Sequence, residues 1–136
     1  MGKIQKMIGK LMMIDDNEVD QMLYKRIVSR SGLVGELVSF LDAEEALDYL
    51  RNPGTVAPDL ILLDINMPGM DGFAFLDAVT GGFDISFVPV VVMLTTSLDP
   101  ADAERAQSYE VVRDFQNKPL TREMLAQFCE VVGTPV

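Results

Sequence analysis

Residues 59–72 read Asp59-Leu60-Ile61-Leu62-Leu63-Asp64-Ile65-Asn66-Met67-Pro68-Gly69-Met70-Asp71-Gly72. An unbroken apolar run ends on a carboxylate and passes at once into turn residues. A run with no polar alternation suits a strand covered on both faces, as in a parallel sheet, and Pro-Gly marks the turn that follows. Asp64 therefore stands at the mouth of a buried strand. A second run, Leu11-Met12-Met13-Ile14, ends the same way on Asp15-Asp16, so two strands deliver three acidic groups toward one place. Carboxylates sharing a small site raise one another's pKa, and a divalent cation relieves the repulsion. Oxygen-only ligation selects a hard ion. Magnesium fits better than calcium, because it binds through one or two carboxylates and fills its shell with water and phosphate oxygen. Taken alone, Asp15 or Asp16 also reads as a helix N-cap; the joint occurrence with Asp64 points to a metal.

Outward from this centre the chain alternates. Strand-like runs at Leu11–Ile14, Glu36–Phe40, Leu60–Asp64, Val90–Leu94 and Val112–Asn117 are each followed by a helix-like segment. Five such units imply a doubly wound α/β fold, a parallel sheet with helices on both faces. In the first helix Val19, Met22, Leu23 and Ile27 recur at helical spacing after Asn17 as cap, a stripe read as core. Asp42 with Glu45 resembles a capping box ahead of Ala43, Ala46, Leu47 and Leu50. Asp99-Pro100 gives a cap followed by proline at the first helical position. Thr121 caps a last helix striped by Met124, Leu125, Phe128 and Val132. Asn52-Pro53-Gly54 and Gly81-Gly82 mark loops.

Composition narrows the chemistry. The 136 residues fit one domain, with a core over about residues 10–132, and 49% hydrophobic with 24% charged residues is a globular balance. A net charge of −10 argues against a nucleic-acid surface. Histidine is absent, which removes His-based zinc sites, His-activated nucleophiles and any phosphohistidine on this chain. Cys129 is the single cysteine, so no intrachain disulfide forms and a reducing compartment is expected. Residues 1–10 lack the apolar core of a signal peptide, Lys6 stands where myristoylation wants Ser or Thr, and no run approaches membrane-spanning length. A soluble cytoplasmic protein is the expectation.

In an open parallel sheet, ligands bind beyond the carboxyl ends of the strands. Two further strands end in polar chemistry there: Leu94 runs into Thr95-Thr96-Ser97, and the fifth strand into Lys118-Pro119. The motifs Met13-Ile14-Asp15-Asp16, Pro58 to Asp64, Met67-Pro68-Gly69-Met70-Asp71-Gly72, Leu94-Thr95 and Lys118-Pro119, in this order and spacing, closely resemble the receiver domains of two-component response regulators. The resemblance implies a flavodoxin-like sheet of order 2-1-3-4-5. It implies Asp64 as phosphoacceptor, Asp15 and Asp16 as Mg2+ ligands with the Asn66 backbone carbonyl, and Mn2+ as a substitute ion. It also implies Thr95 as switch hydroxyl, Lys118 as the phosphoryl-contacting cation, a cis bond at Lys118-Pro119, and Asn66, Thr96 and Ser97 as tuners of acyl-phosphate lifetime. Phe115 stands where an aromatic side chain turns inward on phosphorylation; lacking tyrosine's hydroxyl, it must couple by packing. The implied role is a single-domain response regulator without an output domain, an acceptor and not an enzyme beyond its own phosphorylation and dephosphorylation. Its implied partners are a histidine kinase or histidine phosphotransfer protein and a downstream target or relay acceptor, with a homodimer through the fourth-helix to fifth-helix face and no membrane partner.

The fifth strand departs from that pattern. Asp114, Gln116 and Asn117 replace residues more often apolar, and Glu110-Val111-Val112-Arg113 replaces a glycine-alanine pair; protection of an edge strand is the favoured explanation. Three other readings compete. A haloacid dehalogenase-like phosphatase also uses an aspartyl nucleophile with magnesium, but wants an acidic residue two positions on, where Asn66 stands. A calcium loop matches at Asp64, Asn66 and Gly69 and fails at Pro68 and Phe75. A phosphorylation-independent receiver-like binding module would have lost part of the acidic pocket.

Overall fold

The computed structural model describes residues 6–81, 87 and 89–135. Gly82 of the expected Gly81-Gly82 loop and residues 1–5 lie outside the described residues. The elements are β1 (Lys6–Ile14), α1 (Glu18–Ser31), β2 (Val34–Phe40), α2 (Ala43–Arg51), β3 (Leu60–Leu63), α3 (Gly72–Thr80), β4 (Val91–Thr95), α4 (Pro100–Gln107), β5 (Val112–Asn117), α5 (Arg122–Val132) and a short β6 (Thr134–Pro135). Strands 1 to 5 are parallel in the order β2-β1-β3-β4-β5, the doubly wound sheet expected. β6 was not anticipated: it pairs antiparallel with Lys6 and Met7 at the start of β1, which begins earlier than its apolar run suggests.

β3, β4 as far as Leu94 and the second half of β1 from Leu11 are apolar because each face has its own core. Met12, Ile14, Ile61, Leu63, Val91 and Met93 pack under α2, α3 and α4. Their neighbours Leu11, Met13, Leu60, Leu62, Val92 and Leu94 pack under α1 and α5. Strand alternation thus splits one hydrophobic run between two layers. All four expected caps form: Asn17, Asp42, Asp99 and Thr121 each accept a backbone N–H in the first turn of α1, α2, α4 and α5. Cys129 on α5 is buried against β1 and the α1–β2 junction, its thiol 3.7 Å from the Leu33 carbonyl oxygen, and burial pushes its pKa up.

The α1 stripe is the clearest correction. Val19, Met22 and Leu23 are 63%, 62% and 47% exposed, and α1 buries Gln21, Tyr24, Val28 and Ser31 instead, with Ile27 at the margin. The helix is rotated so that the Gln21 amide nitrogen finds partners inward and the Tyr24 ring joins the core under α1 and α5. The Gln21 amide donates to the carbonyls of Asp15 (3.1 Å) and Phe40 (3.0 Å), tying α1 to the ends of β1 and β2. Midway along β1, Lys10 is only 6% exposed; its ammonium donates to Tyr49 Oη (2.6 Å) and the Val56 carbonyl (2.7 Å).

Gly72 opens α3 directly beneath the residue of interest. A Cβ there would strike the backbone carbonyl oxygen of Asp64 and approach Ile65 Cα to 2.9 Å. Gly69, at φ 75°, supplies the positive dihedral that a Pro-Gly turn demands. Two stability outcomes follow, both read by urea unfolding. Gly72→Ala costs about 1–3 kcal/mol through overpacking against backbone. Val28→Ala costs about 1–3 kcal/mol, whereas Met22→Ala stays within about 0.5 kcal/mol, in keeping with the observed face of α1.

Candidate functional site

Register brings the acidic groups together. Ile14 of β1 pairs with Leu63 of β3, so Asp15 and Asp64 leave adjacent strands side by side, with the Asp64 amide donating to the Ile14 carbonyl at 3.0 Å. Asp16 follows at once, exposed at the rim. One carboxylate oxygen from each of Asp15, Asp16 and Asp64 lies within 4.8 Å of the others, a donor set of hard oxygens suited to a divalent cation.

The cationic member arrives from β5. Thr95 pairs with Asn117, and the next residue, Lys118, sends its ammonium to Asp15 Oδ2 (2.7 Å), Asp20 Oδ2 (2.8 Å) and Asp64 Oδ2 (3.4 Å). The Lys118-Pro119 bond is cis. Burial alone would lower the Lys118 pKa, but its hydrogen bonds to Asp15 and Asp20 and the nearby Asp64 charge outweigh this and hold it above the ordinary lysine value. Burial raises the Asp15 pKa despite the opposing bonds from Lys118 and the Asn17 amide. Beneath them, burial and the Asp20 charge raise the Tyr24 phenol.

Thr95 is fully buried at the end of β4, its hydroxyl accepting the Ser97 amide at 3.2 Å. Ser97 Oγ bonds Asp102 Oδ2 at 2.5 Å, and Thr96 and Asn66 are exposed at the mouth. Phe115 is half-buried against the α2–α4 core and lines a groove with Ala103, Gln107 and Val112. The polar residues of β5 have specific partners. Gln116 donates to Asp114 Oδ2 (2.7 Å), while the Asn117 amide donates to the carbonyls of Ser97 (2.8 Å) and Thr95 (3.3 Å). Asn117 thus fastens the β4–α4 loop, a task beyond the edge protection expected of it. Sequence reasoning also passed over Asp20. It lies at the third position of α1, where an acidic residue reads as ordinary helix-start chemistry.

A family model described as the response regulator receiver domain matches residues 11–130. The chain belongs to the response regulator receiver family. "Probable methanogenesis regulatory protein FilR2" of Methanothrix harundinacea is 34% identical over 125 residues, covering 90% of this chain and 79% of FilR2. Response regulator Rcp1 of Synechocystis sp. is 32% identical over 105 residues, covering 74% of this chain and 69% of Rcp1. A solved Mn(2+)-bound form of Rcp1 superposes with TM-score 0.72 at 25% identity, over 91% of either chain. The phosphorylated cyanobacterial phytochrome response regulator RcpA superposes with TM-score 0.71 at 28% identity, over 92% of this chain and 91% of RcpA. This receiver is therefore a signalling domain of the two-component class, built on the family's acidic pocket. Among the described residues, no helix is long and apolar enough to cross a membrane.

Two measurements test this electrostatic arrangement. The raised pKa of Asp15 means that the folded chain holds a proton there at pH values where the unfolded chain, near 3.8, has released it. Stability then falls as pH rises through that interval, because the ionised group is worse solvated folded than unfolded. Asp15→Asn accordingly raises the unfolding free energy of the cation-free receiver at pH 7, and the advantage disappears as the pH falls through the unfolded value. Asn117→Val loosens the β4–α4 loop, and the Ser97 amide exchanges hydrogen about tenfold faster, the equivalent of one net hydrogen bond.

Proposed function

We propose that this receiver accepts a phosphoryl group on Asp64 from the phosphohistidine of a histidine kinase or histidine phosphotransfer protein, with Mg2+ as its cofactor, and changes its protein contacts in response. The observation that carries this reading is the convergence of Asp15, Asp16 and Asp64 on one point with Lys118 Nζ 3.4 Å from Asp64 Oδ2. An Asp64 carboxylate oxygen attacks phosphorus, a P–O bond forms, the P–N bond of the donor breaks, and the imidazole leaves. Two anions must approach each other, so positive charge at the site governs the rate. Asp15, Asp16, Asp64 and the Asn66 carbonyl oxygen are the residues to hold Mg2+ or Mn2+, and the bound ion supplies charge neutralisation at the phosphoryl oxygens. Lys118 contributes an ammonium that stays protonated across the physiological range.

Thr95 supplies the hydroxyl that meets the phosphoryl group, and Asn66, Thr96 and Ser97 line the mouth where they tune acyl-phosphate lifetime. Phe115 transmits the change by packing, since it has no hydroxyl to bond. Histidine is absent from the chain, so the donor imidazole belongs to a partner. Val19, Met22 and Leu23, exposed on α1, the helix that carries Asp20, suit that partner's apolar surface. Output then leaves through the α4–β5–α5 face to a protein target, a relay acceptor or a second copy of the chain, not to nucleic acid, in a cytoplasmic setting. The chain is an acceptor whose only turnover is its own phosphorylation and hydrolysis. A haloacid dehalogenase-type phosphatase is disfavoured by Asn66, which cannot serve as general acid, and a phosphorylation-independent module by the completeness of the pocket.

The test is intact-protein mass after incubation with Mg2+ and a small-molecule phosphodonor, followed where needed by transfer from a phosphorylated kinase. The expected result is one hydroxylamine-labile phosphoryl adduct, absent in Asp64→Asn. Folded, magnesium-binding protein that stays unmodified by both donors would sink the proposal. Mg2+ at about one hundred times its Kd adds about 2.7 kcal/mol to the unfolding free energy by mass action. In Asp15→Asn that increment shrinks sharply, as a magnesium-dependent thermal shift will register.

A further inference from the structure

The Lys118 ammonium stands where a cation's charge is wanted. It lies 2.7 Å from Asp15 Oδ2 and 3.4 Å from Asp64 Oδ2, two of the three carboxylates that converge on one point. A divalent ion drawn to that point meets like charge, so Lys118 must yield part of its hold on Asp15 and Asp64. A buried ammonium deprived of its carboxylates is costly, and it moves readily only if another acceptor is already in reach.

Asp20 is that acceptor. Its carboxylate is 2.8 Å from Lys118 Nζ, yet Asp20 is not one of the three residues whose oxygens cluster within 4.8 Å. It touches the lysine from α1, outside the converging group. Its position is fixed by the helix start: Asn17 Oδ1 accepts the Asp20 amide at 3.0 Å, and the Asn17 amide in turn donates to Asp15 Oδ1 at 2.9 Å. The carboxylate is partly exposed, so keeping it charged costs little when Lys118 swings toward or away from it.

We propose that Asp20 is a positioning residue that gives the Lys118 ammonium a second seat, so that a divalent cation can take over Asp15 and Asp64 without stranding a buried positive charge. The inference rests on the reading of the acidic pocket as a divalent-cation site. Asp20 acts only through Lys118 and is not itself a ligand. Its removal therefore weakens cation binding when the lysine is present and leaves it unchanged when the lysine is gone.

The experiment is magnesium titration calorimetry on the unphosphorylated full chain, in about 1 M potassium chloride, where a Debye length of about 3 Å suppresses long-range charge effects. Four proteins beyond the native are compared: Asp20→Asn, Asp20→Glu, Lys118→Met, and Asp20→Asn with Lys118→Met. Expected results are a Kd raised about three- to tenfold in Asp20→Asn, the effect of one charge-assisted hydrogen bond lost, and recovery to within about twofold in Asp20→Glu. Lys118→Met alone tightens binding by removing the competing ammonium. Adding Asp20→Asn to it then changes Kd by less than about twofold, so the cycle isolates the coupling. Equal weakening in both backgrounds would make Asp20 a direct ligand and overturn the proposal, as would an unchanged Kd in Asp20→Asn. Absence of magnesium binding by the native chain would overturn the cation reading and this inference together, whereas normal native binding with either preceding result overturns this inference alone.

Discussion

One ammonium facing too many carboxylates is the constraint around which this receiver is organised. Lys118 reaches Asp15, Asp20 and Asp64 within 3.4 Å, and Asp16 adds a fourth acidic group at the rim. The cluster keeps excess negative charge at the end of a parallel sheet whose interior is mostly apolar. Such an arrangement is a poor stabiliser, because desolvation offsets much of the pairing energy. Its value lies in leaving a place for positive charge and phosphate to enter. The two hydrophobic layers supply the rigidity that holds the groups together against their repulsion.

What surrounds the cluster is fastened by polar contacts that a hydrophobicity pattern does not reveal. The Gln21 amide ties α1 to the ends of β1 and β2, and the Asn117 amide ties β5 to the loop after β4. Each bridges elements that carry site residues. The loop between Asp64 and α3 is set by Gly69 and Gly72, one for its dihedral and one for the absence of a side chain.

Much of this could be read from the chain because the decisive signals are local. Apolar runs ending in Asp15-Asp16, Asp64 and Thr95, with a more polar strand running into Lys118-Pro119, fix which strand edge carries the chemistry, and caps at Asn17, Asp42, Asp99 and Thr121 fix where helices begin. The misses share a different cause. On α1, the stripe of Val19, Met22 and Leu23 outweighs Gln21 and Tyr24 in any hydrophobicity count, yet the latter pair turn inward, Gln21 because its amide nitrogen meets two carbonyls there and Tyr24 because its ring joins the core. Asp20 meets its partner 98 residues away, Lys10 meets Tyr49 and Val56, and β6 is only two residues long; no local pattern encodes such contacts. Polar residues in β5 read as edge protection because the sequence shows their exposure tendency and not the loop that Asn117 reaches.

Cys129 has a use that its chemistry alone does not suggest. It is the chain's single thiol, buried beneath α5 with its pKa pushed up by burial, so the closed fold shields it from alkylating reagents. Its reaction becomes measurable chiefly when α5 lifts from β1 and the α1–β2 junction. The protein thus carries its own clock for that motion: the rate of thiol labelling counts openings of α5, with no probe introduced and no residue changed.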